Sequence, residues 1–160
     1  MIRSLLCLSL LAGASCERSP RLPAAPTRME LGRQIYLKNC QVCHGVNGAG
    51  IPDQFPPFQR NPRINGDSKP LIAVILDGMK GGEEIDGVTY RGTMPAWRDL
   101  LADHEIAAVL TFIRASWTRG LPEIQALEVR NIRDETAMRK RFWTTQELNS
   151  LAAQARQGVR

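Results

Sequence analysis

The pentapeptide Cys40-Gln41-Val42-Cys43-His44 constrains this chain more than any other feature. Two thiols separated by two residues, with a histidine directly after the second, are the attachment signature of a c-type haem. Both sulfurs can form thioethers with the vinyl groups of one porphyrin, and the adjacent imidazole can serve as a permanent axial ligand of the iron. The motif therefore predicts one covalent haem c, held by Cys40, Cys43 and His44.

Three other interpretations of these residues are weaker. A zinc site needs four ligands, usually in two pairs, but the other cysteines are Cys7 and Cys16, near the N-terminus, and the other histidine is His104. A thioredoxin-like redox pair requires a βαβ setting, whereas the flanking sequence favours a helix followed by a Gly-rich loop. A simple disulfide between Cys40 and Cys43 would leave His44 without a role.

The N-terminal residues have the features of an export signal. Arg3 gives a basic start, residues 5–11 form a mainly apolar run, and Ala12-Gly13-Ala14 provides a small-residue cleavage site. The apolar run is too short to span a membrane as a mature helix. We therefore expect residues 1–15 to be a signal peptide and the mature protein to be periplasmic.

Cys16 leaves two possibilities for processing. A cysteine after an apolar run and small residues resembles the acylation site of a bacterial lipoprotein, although Gly13 stands where such sites usually carry Leu. The alternative is cleavage after Ala14, which would leave a free thiol. Because a free thiol is a liability in an oxidising compartment, we favour a membrane-anchored lipoprotein. Residues 16–27 are rich in Pro and Ala and predict a tether.

The net charge of +5 is unevenly distributed. Residues 28–118 hold ten basic and ten acidic side chains, whereas residues 119–160 hold eight basic and five acidic ones. The chain lacks interleaved basic and aromatic residues, so we predict no nucleic-acid partner. The basic tail is either a solvated face or a surface for an acidic partner or anionic lipid.

Apolar spacing predicts helices over residues 28–39, 69–79 and 103–117. The intervening segments are rich in Gly and Pro, and we expect residues 80–93 to be irregular. No alternating strand run is evident. The sequence thus predicts a mostly α domain over residues 28–118.

Residues 119–160 predict a helical C-terminal extension. Pro122 is expected to open one helix, and the Thr144 to Glu147 segment is a capping-box pattern that precedes Leu148. The extension could pack on the preceding domain or form an arm that docks on another protein, and the sequence does not distinguish the two.

The second axial position of the iron has several candidates. Met94 is preferred because it lies in an irregular stretch before the last domain helix and Pro95 fixes the chain beside it. Met79, Met138 and His104 are weaker candidates. A Met opposite His raises the reduction potential and suits electron transfer, whereas ordinary packing is the alternative role for Met94.

Together these motifs resemble class I monohaem c-type cytochromes. They are similar in particular to the small bacterial cytochromes that serve copper nitrite reductases or quinoprotein alcohol dehydrogenases as subunits or fused domains. The matching residues are Gly32, Tyr36, Cys40, Cys43, His44, Gly45, Gly48, Gly50, residues 55–58, Asn61, Pro62, Gly66, Asp67, Thr93, Met94, Pro95, Trp97 and residues 105–114, with a weaker match at Val129, Arg130, Trp143, Thr144, Glu147 and Leu148. Two departures are Ala102 in place of the usual Ser cap and Phe58 in place of a common Leu.

The resemblance implies a fold of three to five helices around the covalent haem, followed by the helical extension. It implies that Gly32 and Tyr36 meet Phe112 and Ile113 where the first and last helices cross. It also implies a hydrogen bond between the Pro56 carbonyl and His44. The residues expected to form the haem walls are Phe55, Phe58, Leu71, Ile75 and Trp97.

The function implied by the resemblance is one-electron transfer rather than catalysis, with a dehydrogenase, nitrite reductase or oxidase as donor or acceptor. One alternative is a haem enzyme or gas-binding sensor, which needs an open or labile sixth site that Met94 argues against. Another is an electron-entry subunit whose residues 119–160 bind a larger enzyme.

Overall fold

Helices make up most of the computed structural model, which describes residues 25–157. The elements follow in the order α1 (Arg28–Ile35), a π-helical turn (Tyr36–Cys40), α2 (Gln41–His44), α3 (Pro62–Asn65), α4 (Ser68–Asp77), β1 (Glu83–Ile85), β2 (Val88–Tyr90), α5 (Asp103–Trp117), α6 (Ala126–Glu135) and α7 (Thr145–Gln157). The predicted mostly α fold class is confirmed. Between residues 25 and 157, no helix has both the length and the apolar character needed to cross a bilayer.

The first helical run is longer than the predicted helix over residues 28–39. Helix α1 continues through the π-helical turn into α2, and this run ends at Gly45, where φ is +74°. A π-helical turn adds a residue to the helix and often marks a functional site. The run carries both cysteines of the pentapeptide and places His44 at its last position.

Helix α1 crosses α5 at Gly32. A Cβ atom on Gly32 would lie 2.2 Å from the carbonyl oxygen of Ala108 and 2.8 Å from Cβ of Phe112, so only glycine allows this approach. One turn later, the buried Tyr36 ring lies 5.6 Å from the Phe112 ring, measured between centroids. The expected contact of these two residues with Phe112 is therefore present, and α5 has the predicted bounds.

Helix α4 is the most buried element of the fold. The Asp67 side chain accepts a hydrogen bond from the Lys69 amide and caps the helix, and Gly78, with φ +69°, ends it. Every residue from 70 to 77 is buried. This helix contacts α3, α5, α6 and α7, so it forms the centre of the core.

The prediction that residues 80–93 are irregular is wrong for part of this range. Strands β1 and β2 form an antiparallel hairpin in which Ile85 pairs with Val88. Asp86 and Gly87 form the turn, and both have positive φ. An Asp-Gly pair between two strands is a strong hairpin signal. Because each strand has three residues, the alternation was too short to recognise.

The C-terminal extension packs on the domain. Helix α6 lies against α4 and α5, and α7 lies against α4. Pro122 does not open a helix: α6 begins at Ala126, and the preceding Ile124 is buried, its amide donating to the Thr111 hydroxyl over 3.1 Å. The capping box is confirmed, since the Glu147 carboxylate accepts from the Thr144 amide and the Glu147 amide donates to the Thr144 hydroxyl.

Candidate functional site

Two adjoining apolar cavities lie beside the pentapeptide, with volumes of about 250 Å³ and about 60 Å³. We refer to them together as the cleft. The residues that line both are Cys40, His44, Pro56, Met79, Glu83 and Met94. Of the other predicted site residues, Cys43, Phe55 and Trp97 line the larger cavity and Phe58 lines the smaller. The fold thus brings together residues from four separate segments of the chain.

His44 is held by both its ring nitrogen and its ring face. Its Nδ1 atom lies 3.3 Å from the carbonyl oxygen of Pro56, and its ring stacks on Phe58 with centroids 4.5 Å apart. Burial lowers the pKa of His44 because it penalises the charged imidazolium, while the Pro56 carbonyl opposes this effect. A neutral imidazole whose Nδ1–H donates to a carbonyl leaves Nε2 free to bind a metal.

The hydroxyl of Tyr36 fixes the end of the same segment by donating to the carbonyl of Gly45. Burial raises the pKa of Tyr36 to about 12, and the nearby Cys40 contributes. The neutral phenol therefore remains a donor across the physiological range. One aromatic cluster lies behind His44, and its members are Tyr36, Phe58, Phe112 and Trp117.

Cys40 and Cys43 are both half-buried and do not form a disulfide with each other. Burial raises the pKa of the Cys40 thiol to about 12, with a further contribution from Cys43. Both thiols line the larger cavity beside the exposed Val42. This placement suits covalent attachment of a group that fills the cleft.

Met79 and Met94 both line both cavities. The amide of Met79 donates to the Met94 carbonyl over 3.1 Å, and the amide of Met94 donates to the Met79 carbonyl over 3.0 Å. The cleft therefore offers two thioether sulfurs, whereas the sequence favoured Met94 over Met79 as the second axial ligand. The other two candidate ligands lie elsewhere: Met138 is 89% exposed and His104 is exposed at the start of α5.

Sequence reasoning missed a buried ion pair at the cleft. Arg63 and Glu83 have side chains only 9% and 10% exposed, and their closest nitrogen and oxygen atoms are 2.7 Å apart. Both line the smaller cavity. The Nε atom of Arg63 is buried and has no hydrogen-bond partner among residues 25–157. The Asp86-Gly87 turn was the available signal, because the hairpin positions Glu83.

Comparison with known proteins decides the family. The family model described as Cytochrome c matches residues 29–117, which is more than half of the chain. The chain belongs to the cytochrome c family. It is 33% identical over 142 residues to cytochrome c-552 of Thermus thermophilus, an alignment that covers 83% of this chain and 87% of that protein.

Two further relatives are larger proteins. The chain is 32% identical to the gluconate 2-dehydrogenase cytochrome c subunit of Pantoea cypripedii, over 67% of this chain and 25% of that protein. It is 30% identical to the cytochrome c subunit of the quinone alcohol dehydrogenase of Gluconobacter oxydans, over 64% of this chain and 22% of that protein. The chain therefore matches about a quarter of each of these subunits.

Membership of this family means that the protein carries covalently bound haem c, as the pentapeptide predicted, and that it functions in electron transfer. The cleft fits this group. Two thiols and an oriented imidazole lie together, the walls are mainly apolar, and two thioethers are available. The predicted family, fold class and cofactor are confirmed.

Proposed function

We propose that this protein is a non-catalytic one-electron carrier in which Cys40 and Cys43 hold the haem and His44 and Met94 are its axial ligands. The observation that carries the proposal is that His44 and Met94, from distant parts of the chain, line both cavities of one cleft. When bound, haem c supplies a ferric–ferrous couple whose potential a Met ligand raises. Such a carrier needs no substrate pocket and no catalytic acid or base.

Each residue of the cleft then has a defined role. The Pro56 carbonyl accepts the Nδ1–H bond of His44, which fixes the tautomer and makes the ligating nitrogen more basic. Phe55, Phe58 and Trp97 exclude water from the metal. A cavity wall of low polarity disfavours extra charge, and this effect stabilises the ferrous state relative to the ferric state.

Met94 is assigned as the ligand in preference to Met79 because of its local chain. Met94 lies in the irregular stretch between β2 and α5, and Pro95 restricts the backbone directly after it. Met79 follows the Gly78 terminus of α4 and has backbone partners on both sides, Met94 and Trp143. Its side chain is assigned to packing in the same cleft.

Matched Met→Leu variants test the ligand assignment, because Leu conserves volume and removes the sulfur. We would record visible spectra of the wild-type, Met94→Leu and Met79→Leu holoproteins, oxidised and reduced, with and without carbon monoxide. The wild type and Met79→Leu should show the weak sulfur-to-iron band in the ferric form and exclude carbon monoxide. Met94→Leu should lose the band and bind carbon monoxide.

Two results would contradict the proposal. If Met79→Leu loses the band and Met94→Leu keeps it, the ligand assignment is wrong. If the wild type binds carbon monoxide readily, the sixth site is open, and the protein is a haem enzyme or a gas-binding sensor.

The proposed partners are redox enzymes, with a dehydrogenase favoured over a nitrite reductase or an oxidase. The relatives described as cytochrome c subunits of gluconate 2-dehydrogenase and quinone alcohol dehydrogenase support this choice. Isolation of the protein from its native membranes or periplasm should yield a large dehydrogenase in the same complex, or a dehydrogenase that reduces the ferric protein. If the protein is recovered without a dehydrogenase, and no dehydrogenase fraction reduces its ferric form, this partner class is wrong.

The proposed location is the periplasm, with anchoring through a lipid on Cys16. Residues 1–24, which carry the expected signal peptide and Cys16, lie outside the part of the chain that the structure describes. Cell fractionation of the wild type and Cys16→Ser tests the anchor. The wild type should sediment with membranes and the variant should be soluble, whereas a soluble wild type would indicate simple cleavage after Ala14.

A further inference from the structure

Three backbone segments lie side by side next to the cleft, with Met79 in the middle. On one side Met79 exchanges two hydrogen bonds with Met94. On the other side the Trp143 amide donates to the Gly78 carbonyl over 3.0 Å, and the Lys80 amide donates to the Trp143 carbonyl over 2.9 Å. The C-terminal extension is thus hydrogen-bonded to residues 78–80, the segment that pairs with Met94.

Trp143 is anchored by its own side chain. The residue is 7% exposed and belongs to the hydrophobic core. The guanidinium carbon of Arg139 lies 3.4 Å from the centre of its ring, and Arg139 in turn donates to the Glu147 carboxylate over 2.8 Å. A cation stacked on an indole is a favourable contact. These contacts fix the position from which the Trp143 backbone reaches Gly78 and Lys80.

A second connection joins the extension to the residues after Met94. Arg98 donates to the Arg133 carbonyl over 3.0 Å, and Arg133 donates back to the Arg98 carbonyl. Arg133 also donates to the Leu101 carbonyl over 2.9 Å and pairs with Asp103 over 2.7 Å. Hydrogen bonds from a charged donor are stronger than those between neutral groups. The loop between Met94 and α5 is therefore attached to α6.

Residues 94–101, which we call the ligand segment, are thus attached to the extension near both ends. Met94 is attached through Met79 to Trp143, and Arg98 and Leu101 are attached to Arg133. The segment is also held by α4: the amides of Trp97 and Arg98 donate to the Ile75 and Leu76 carbonyls over 3.0 Å, and the Arg98 side chain pairs with Asp77 over 2.7 Å. Arg98 also donates to the Thr136 hydroxyl, just after α6, over 2.6 Å. Without the extension, Met94 would keep its backbone hydrogen bonds to Met79. The Gly78 carbonyl and the Lys80 amide, on either side of Met79, would lose their hydrogen bonds to Trp143.

We propose that residues 126–157 form a built-in clamp on the ligand segment, in which Trp143 and Arg133 are positioning residues that keep the Met94 sulfur on the haem iron. This inference rests on the proposed function, because it requires Met94 to be the axial ligand. The extension then acts within the molecule: it sets how often the sixth site opens to an external ligand. Four apolar side chains of residues 126–157 are buried in the fold: Val129, Ile132, Trp143 and Leu148.

The test compares two clamp variants with two matched controls in the full-length holoprotein. Trp143→Ala removes the side chain that anchors the extension beside residues 78–80, and Arg133→Leu removes the donors to the ligand segment. Val129→Ala is the control for a buried truncation in the extension, and Arg130→Leu is the control for loss of an exposed charge on α6. For each protein we would measure the ferric sulfur-to-iron band, the rate of carbon monoxide binding to the ferrous form, and the thermal midpoint.

Each clamp variant should bind carbon monoxide about tenfold faster than its control, which corresponds to about 1.4 kcal/mol in the opening equilibrium of the sixth site. The sulfur-to-iron band of each clamp variant should also be weaker than that of its control. A merely structural role would lower the thermal midpoints of both Val129→Ala and Trp143→Ala, each according to the volume removed, without this difference in ligand binding.

The outcomes separate the two proposals. A wild type without the sulfur-to-iron band overturns the ligand assignment itself. A wild type with the band, together with clamp variants that bind carbon monoxide no faster than their controls, overturns the clamp and leaves the ligand assignment intact. If Trp143→Ala is not recovered folded, the comparison of Arg133→Leu with Arg130→Leu decides alone.

Discussion

The Nδ1 atom of His44 lies 3.3 Å from the carbonyl oxygen of Pro56, and Gly50 makes this approach possible. The Gly50 amide donates to the His44 carbonyl over 2.9 Å, which brings the two loop segments together. A Cβ atom on Gly50 would lie 2.2 Å from the Phe55 carbonyl oxygen and 2.8 Å from that of Pro56. The orientation of the proximal ligand therefore depends on a residue without a side chain.

Gly50→Ala should displace the Pro56 carbonyl from His44. The expected cost in the free energy of unfolding is about 1–3 kcal/mol for overpacking, with a further cost of about 1–3 kcal/mol for a positive φ in a residue with a Cβ. Gly87→Ala is the control, because Gly87 has φ +79°, close to the +72° of Gly50, and open space around it. Denaturant unfolding gives the stabilities, and NMR of the His44 Nδ1–H reports the hydrogen bond. An unchanged Nδ1–H resonance in Gly50→Ala would refute the link to His44.

Gly32→Ala should destabilise the protein although Ala is the better helix former. Helix propensity favours Ala by about 1 kcal/mol, but overpacking costs about 1–3 kcal/mol, and the atom met at 2.2 Å is the backbone carbonyl of Ala108 rather than a movable side chain. Thermal and urea unfolding would measure the difference. Gln34→Ala, at an exposed position of the same helix, should stay within about 0.5 kcal/mol of the wild type. Equal stabilities of the two variants would mean that α1 and α5 move apart enough to accommodate the added methyl group.

Arg63→Met should leave the buried Glu83 carboxylate without its partner and reduce stability by about 3–5 kcal/mol. The double variant Arg63→Met with Glu83→Leu should recover most of this loss, because replacing both members of a buried ion pair by apolar residues is often nearly neutral. A double-mutant cycle from urea unfolding of the holoprotein gives the coupling energy. Additive effects of the two substitutions would show that the pair is not coupled.

The capping box of α7 should make the stability of the extension dependent on pH. Bonds from the Thr144 amide and then from Arg139 lower the pKa of Glu147 to about 2 from its ordinary value of 4.5. Since the pKa of the folded state lies below that of the unfolded state, the contribution is complete above about pH 4.5 and is lost as the pH falls towards 2. The stability difference between the wild type and Glu147→Gln should therefore shrink over this range. Urea unfolding followed by tryptophan fluorescence at several pH values measures it, and a constant difference would contradict the assignment.

Local sequence signals predicted the parts of the fold that depend on neighbouring residues. Helix α5 has the expected bounds because its apolar residues recur with helical spacing, and α7 begins at the expected capping box. The hairpin was missed although Asp86-Gly87 marks its turn, because three-residue strands give little alternation. Pro122 predicts a helix start, but the buried Ile124, whose amide donates to the Thr111 hydroxyl, holds this stretch outside the helix.

The sequence by itself determined the chemistry of this protein: a Cys40-x-x-Cys43-His44 motif specifies a covalent haem c because the spacing of thiols and imidazole is local. Tertiary structure decided which distant groups complete the cleft. Met79 and Met94 are brought together by backbone pairing, and Arg63 and Glu83 by a buried ion pair. Trp143 does not line the cleft, but its backbone is hydrogen-bonded to Gly78 and Lys80 beside it. These contacts join residues far apart in the chain, and their free energy comes from burying apolar surface and satisfying polar groups together, which no local pattern records.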